Sequence, residues 1–329
     1  MKSQFLTAGL ILAASTAIAQ DKPVLTVMTY DSFVSDWGPG PVVEEAFEAT
    51  CDCDLQFIGV GDGAALLARL QLEGTRTDTD IVLGIDTNLT TRAVETGLFA
   101  EHGMSGEYDL PIAWTDTHFL PYDWGYFAFV HDTTKLAEAP KSLKALADSD
   151  VSIVIQDPRS STPGLGLLLW VKSVYGDQAA DVWAGLADNI VTVTPGWSEA
   201  YGMFLEGEAD MVLSYTTSPA YHLIAEEDAS KAAAVFDEGH YMQIEVAGKI
   251  ASTDQPDLAD AFLTFMGSET FQSIIPTTNW MYPARVPAGG LPDGFDAPIP
   301  TGNALIYAPA EAASVRDAAL DEWLTALSK

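Results

Sequence analysis

Phe119-Leu120-Pro121-Tyr122-Asp123-Trp124-Gly125-Tyr126-Phe127-Ala128-Phe129-Val130 is an extended, aromatic run. Its composition favours a strand. Its place, between two regions of alternating strands and helices, marks a strand that crosses between lobes. Tyr241 to Val246 reads as the return crossing. A chain that enters one lobe twice and encloses a second fits two lobes closing about a hinge. The expected boundaries are 20–122 plus 246–329 for lobe 1 and 123–245 for lobe 2.

Before the crossing, Val24 to Tyr30, Leu55 to Val60 and Ile81 to Ile85 read as strands. Helices are expected from Pro41 to about Thr50 and after Gly63, where Leu66, Leu67 and Leu70 share a face. After the crossing, strands are expected at Val151 to Gln156, Ile190 to Thr194 and Asp210 to Tyr215. Helices alternate with them at Gly164 to Tyr175, Ala179 to Leu186 and Trp197 to Leu205. This alternation argues for an α/β chain with largely parallel sheets. The last third reads as mostly helical. Pro256 opens one helix, and the helix after Pro309 puts Leu320, Trp323, Leu324 and Leu327 on one stripe. A Pro/Gly-rich loop spans Pro283 to Gly302.

The N-terminus reads as an export signal. Lys2 precedes the apolar stretch Phe5 to Ile18, and Ala17-Ile18-Ala19 has the small-x-small form of a cleavage site. The run is too short and broken for a membrane span, which needs about 20 strongly apolar residues. Residues 1–19 are therefore expected to be a signal peptide, and the mature chain to be periplasmic.

The formal charge of −32 argues against nucleic acid as a partner, because phosphate binding needs a basic footprint. The acids are spread along the chain, as on a solvated acidic surface, with some attraction for a cationic solute added. Apolar content of 48% suits a chain with a real core. Cysteine occurs only at positions 51 and 53. An oxidising compartment permits their pairing, and a ring so tight would be strained, so the sequence leaves their redox state open.

No HExxH helix, G-x-S-x-G elbow or Walker loop is present in the sequence. No catalytic residue, metal ligand or cofactor is expected. Gly59-Val60-Gly61-Asp62-Gly63 is a strand-to-helix turn; taken alone it is a tight turn, and Asp62 in it suits a cation better than a phosphate. Asp157-Pro158-Arg159-Ser160-Ser161-Thr162-Pro163-Gly164 follows a strand and opens a helix. Ser161 or Thr162 serves as N-cap, with Pro163 at the first helical position, and the same hydroxyls at a helix N-terminus also suit a ligand or an anion. Trp197, Tyr215, Tyr221 and Trp280 fall at the ends of expected elements, where aromatic rings can stack on a heterocycle or face a cation. Trp183 and Trp323 lie on helix stripes and are assigned to the core.

These segments resemble the periplasmic thiamine-binding proteins of bacterial ABC importers. The resemblance rests on Thr29-Tyr30-Asp31-Ser32-Phe33, Trp37-Gly38-Pro39-Gly40-Pro41, Asp157-Pro158-Arg159, Ser161-Thr162-Pro163-Gly164-Leu165-Gly166, Gly196-Trp197-Ser198-Glu199-Ala200-Tyr201, Leu213-Ser214-Tyr215-Thr216-Thr217-Ser218-Pro219-Ala220-Tyr221 and Asn279-Trp280-Met281-Tyr282-Pro283. Cys51-Asp52-Cys53 also resembles a Cys-x-Cys of that family, and Ala284 to Ala304 departs most. The resemblance implies a two-lobed type II periplasmic binding protein fold with the ligand cleft between lobes. It implies thiamine, thiamine phosphate and thiamine diphosphate as transported ligands, and an ABC importer permease subunit as partner. It implies ligand contacts from Asp62, Gly63, Ser161, Thr162, Trp197, Tyr215, Thr216, Thr217 and Ser218, with Tyr30, Tyr221 and Trp280 as aromatic walls. Two rival readings are an enzyme like thiaminase I, which uses a Cys nucleophile, and a ferric-ion binder, which uses paired Tyr ligands. Cys51 and Cys53 stand away from the inferred cleft, and Tyr215 and Tyr221 are not adjacent.

Overall fold

The computed structural model describes residues 22–295 and 304–328. The expected signal peptide and part of the Pro/Gly-rich loop lie outside the described residues. The chain opens with β1 (Val24–Thr29), α1 (Gly40–Glu48), β2 (Asp54–Gly59), α2 (Gly63–Glu73), β3 (Ile81–Asp86) and α3 (Thr90–Glu95). The crossing strand β4 (Phe119–Asp132) follows, then α4 (Leu143–Ala147), β5 (Ile153–Gln156), α5 (Thr162–Tyr175), α6 (Ala179–Leu186), β6 (Ile190–Thr194) and α7 (Trp197–Glu206). Next come β7 (Met211–Tyr215), α8 (Ser218–Ala225), β8 (Lys231–Ala233) and the return strand β9 (His240–Lys249). The chain closes with α9 (Pro256–Met266), α10 (Glu269–Thr278), β10 (Tyr282–Pro283), β11 (Ala304–Leu305) and α11 (Pro309–Leu327).

The main sheet runs in the order β2-β1-β3-β9-β4-β7-β5-β6. A parallel trio, β2-β1-β3, stands at one end and a second, β7-β5-β6, at the other. The antiparallel pair β9 and β4 joins them. The division of labour along β4 explains the two lobes. Phe119 to Tyr126 pair with β9, and Phe127 to His131 pair with β7. One strand therefore belongs to both halves, and nearly every residue of it is buried. That is why it reads as continuous apolar and aromatic sequence rather than as an alternating pattern.

Two glycine-dependent bends shape the centre. β3 is bulged against β9 between Leu83 and Ile85, leaving Gly84 as the extra residue, with φ +105°. A Cβ there would lie 2.3 Å from the ring of Tyr30. Gly63 opens α2 so close to α5 that a Cβ would meet Thr162 Oγ1 at 2.1 Å. β4 carries its own bulge against β9 between Pro121 and Asp123, with Tyr122 as the extra residue.

The helix α5 is apolar nearly all round, and everything from Thr162 to Val171 is buried. It is a core helix rather than a surface one. Trp183 and Trp323 are core residues, as expected. In α11 the buried positions are Ala312, Ala319, Trp323 and Ala326, while Leu324 is 38% exposed, so it lies off the stripe assigned to it. A step of one residue turns the helix by about 100°, which carries position 324 away from the face of Trp323. Although the expected boundaries group α11 with the first lobe, it packs on α5 and α6, with a smaller contact to α3. Pro41 and Pro163 each take the second helical position rather than the first. Cys51 and Cys53 are joined by a disulfide between α1 and β2. No described helix is long and apolar enough to cross a membrane.

Candidate functional site

The C-terminal ends of the strands in both halves of the sheet face a cavity of about 500 Å³. Its walls are aromatic: Tyr30, Trp37, Trp197, Tyr201, Tyr215, Tyr221 and Trp280 all line it. Asp62 and Glu245 also line it, and among the described residues no Lys, Arg or His does. Such a site is built for a flat, positively charged ligand.

Each wall is held from behind. Trp197, the first residue of α7, donates its indole N–H to Ser214 Oγ at 2.8 Å and stacks on Tyr201, with ring centroids 4.9 Å apart. Ser214 is bonded in turn to Ser218 at 2.7 Å. The Tyr201 hydroxyl meets His222 Nε2 at 2.9 Å, and His222 Nδ1 meets Glu226 at 2.6 Å. Tyr221 donates to the other oxygen of Glu226 at 3.1 Å. The phenols of Tyr30 and Tyr215 are pushed well above the ordinary value, chiefly by burial, so both stay neutral.

Tyr221 lies edge-on to Trp280 at 5.3 Å. It sits within the first turns of α8, not at an element end as the sequence suggested. Trp280 stands just past the C-cap of α10 at φ +56°, the left-handed position where glycine commonly ends a helix. A non-glycine residue there costs about 1–2 kcal/mol. The strained backbone presents the indole to the cavity and to Tyr221, and strain of this kind gathers at functional sites.

Asp62 and Ser161 come from opposite halves of the sheet and meet. Ser161 is the N-cap of α5, and its hydroxyl donates to Asp62 Oδ2 at 2.7 Å. Asp62 caps α2 by accepting from Gly63 N, and the backbone N–H groups of Thr162 and Trp197 also face it. Ala65 N donates to Ser160 O at 3.0 Å alongside. Burial raises the Asp62 carboxyl above its ordinary value, against the pull of these donors.

Of the residues singled out in the sequence, Tyr30, Asp62, Trp197, Tyr215, Ser218, Tyr221 and Trp280 line the cavity. Gly63, Ser161, Thr162, Thr216 and Thr217 do not; they form the packed layer behind it. Ser161 and Thr217 are fully buried, and Thr217 points at the sulfur of Met281. The hydroxyls of Thr162 and Thr216 are buried without a hydrogen-bond partner. Sequence reasoning overlooked Trp37, Tyr201, Asn279 and Glu245. Trp37 is 55% exposed and approaches Trp197 at 6.2 Å from the other side of the cleft. An exposed Trp in a Gly/Pro loop was a usable signal for it. Glu245 had none, because β9 (His240–Lys249) also carries His240, Gln243 and Lys249, and one more polar residue among them did not stand out.

Residues 38–273 match the family model described as bacterial extracellular solute-binding protein. The thiamine-binding periplasmic protein of Escherichia coli is 53% identical over 322 residues, spanning 97% of this chain and 98% of that protein. The protein of the same name from Brucella melitensis is 52% identical, spanning 94% of each chain. A solved structure, described as a periplasmic thiamin binding protein, superposes with a TM-score of 0.91 at 52% identity. It covers 98% of this chain and 100% of its own.

Proposed function

We propose a function from the premise that this chain belongs to the bacterial extracellular solute-binding proteins and, within them, to the thiamine-binding periplasmic proteins. It is a periplasmic binding protein, not an enzyme, that captures thiamine and delivers it to an ABC importer. The observation that carries this reading is the cavity itself: aromatic on most sides, lined by two carboxylates and by no cationic side chain among the described residues. Thiamine joins a permanently charged thiazolium to a flat aminopyrimidine. Desolvating that cation against aromatic faces is worth about 2 kcal/mol. The pyrimidine needs donors and acceptors of the kind that Tyr hydroxyls, Asn279 and carboxylates supply. Calorimetric titration with thiamine is expected to give one tight site per chain. Absence of binding at micromolar protein would overturn the reading.

Delivery takes place at the importer's permease subunit. The ligand contacts in this reading are the cavity-lining Tyr30, Asp62, Trp197, Tyr215, Ser218, Tyr221 and Trp280, backed by the packed layer of Gly63, Ser161, Thr162, Thr216 and Thr217. Thiamine phosphate and thiamine diphosphate are ligands of the same cleft, with the phosphate seated against the N-terminus of α5. That seat requires the Ser161 hydroxyl to leave Asp62 and turn to the phosphate. Ser161→Ala is therefore expected to weaken both phosphorylated forms about tenfold or more, since a hydrogen bond to a charged group contributes about 1.5–3 kcal/mol. Thiamine itself should lose much less. Equal losses for all three ligands in parallel titrations would remove the phosphate from this position.

A further inference from the structure

Three buried carboxylates stand in a row across the middle of the sheet. Glu245 on β9 is the register partner of Asp86 on β3 and of Asp123 on β4. Their exposures are 5%, 0% and 0%. Among the described residues none of the three forms an ion pair with Lys, Arg or His. Like charges directly opposite in a sheet destabilise it, and unpaired buried charges cost far more.

The local bonds show where a proton resolves this. Glu245 accepts from Tyr122 and Tyr30 and, weakly, from Gln243. Asp86 is held by the backbone and side-chain amides of Asn88. Asp123 Oδ2 accepts from Asn279 at 2.6 Å, but Asp123 Oδ1 is buried with no donor. Asp123 and Glu245 lie within hydrogen-bonding reach of each other. Two carboxylates so placed satisfy each other only when one of them carries a proton.

Only Glu245 of this row lines the cavity. We infer that Glu245 is the counter-ion of the captured cation, and that binding releases the proton which the ligand-free protein holds between Glu245 and Asp123. The exchange balances: the protonated pair and the cation give the ionised pair with the cation bound, and the proton goes to the buffer. The inference rests on the thiamine reading above. Burial supports it, holding Glu245 and Asp86 near 7 and Asp123 well above its ordinary range, with the neighbouring charges adding to the shift. The other titratable groups facing Glu245 are Asp62 and the neutral phenols of Tyr30, Tyr122 and Tyr215. Farther off, His222 and Glu226 hold Tyr201 and Tyr221 by hydrogen bonds.

The sign follows. Below the titration of the pair, binding must expel a proton, so affinity rises with pH, by up to about tenfold per unit, and flattens above it. The test is calorimetry with thiamine between pH 5.5 and 8, in PIPES and in Bis-Tris, whose ionisation enthalpies differ. Wild type is expected to release up to one proton at pH 6 and close to none at pH 8. Asp123→Asn replaces the shared proton by an amide donor. It should abolish the release and lift the affinity at pH 6 towards the wild-type value at pH 8. Glu245→Gln should weaken binding at pH 8 and abolish the release from this pair, leaving only the exchange of thiamine's own pyrimidine. Thermal melts check that both variants fold. Tight binding with no proton exchange in wild type, or the same release in Asp123→Asn, overturns this inference and leaves the thiamine reading standing. Absence of any binding takes both down.

Discussion

Replacing Trp280 with alanine lowers the affinity for thiamine at least tenfold, a loss of about 1.4 kcal/mol or more. The indole lines the cavity and stands edge-on to Tyr221. Its removal takes away one face of the cation site, about 2 kcal/mol when desolvated, and the partner of a second wall. Tyr221→Ala is expected to cost as much, because Tyr221 lines the same corner and holds Glu226. The backbone at residue 280 makes a sharper test. At φ +56° the position favours glycine. Trp280→Gly should therefore bind as weakly as Trp280→Ala yet unfold at a higher temperature than that variant. Calorimetry and thermal melts on the same samples decide it. Wild-type affinity in both variants would remove Trp280 from the site, and equal melting temperatures would remove the strain.

Gly84→Ala is expected to destabilise the fold by roughly 2–5 kcal/mol, combining left-handed strain with overpacking. The added methyl falls 2.3 Å from the Tyr30 ring, and φ +105° disfavours any side chain. Tyr30 cannot retreat easily. Its hydroxyl is fixed by Glu245 at 3.0 Å and Asn279 at 3.0 Å, and its ring packs on Phe33. The same substitution should weaken thiamine binding, since Tyr30 lines the cavity. Gly97→Ala is the control. It also has positive φ, but open space where the methyl would go. It should show the backbone cost alone. Denaturant titration compares the two. Equal losses would mean that Tyr30 yields to the methyl.

The architecture was readable because it rests on local signals. Each strand of the two parallel trios is a short, largely apolar run bounded by turn residues, and each following helix has a glycine, proline or hydroxyl residue at or just before its start. The aromatic run of β4 announced a strand buried on both faces. Boundaries slipped by a residue at Pro41 and Pro163, since proline fits either of the first two helical positions. The short helices α3, α4 and α8 went unread, because pieces of five to eight residues carry little periodicity. Assigning Leu324 to the buried stripe of α11 failed because that helix is only weakly amphipathic and buries mainly small alanines.

The candidate site divides along the same line. Trp197, Tyr215, Tyr221 and Trp280 were legible as aromatics near the starts and stops of elements, and by motif. The hydroxyls of Ser161 and Thr162 were legible as a helix start, but not the direction in which they point. In the structure Ser161 is turned to Asp62, a residue 99 positions away. Sequence alone determined the order of strands and helices and the aromatic character of the cleft, because each is written in neighbouring residues. Tertiary structure decided which residues stand opposite one another. Asp86, Asp123 and Glu245 form one row only through the registers of β3, β9 and β4, and Tyr122 reaches Glu245 only through a bulge. Periodicity states which face a side chain takes; it carries no information about which distant strand, and which residue on it, completes the pair.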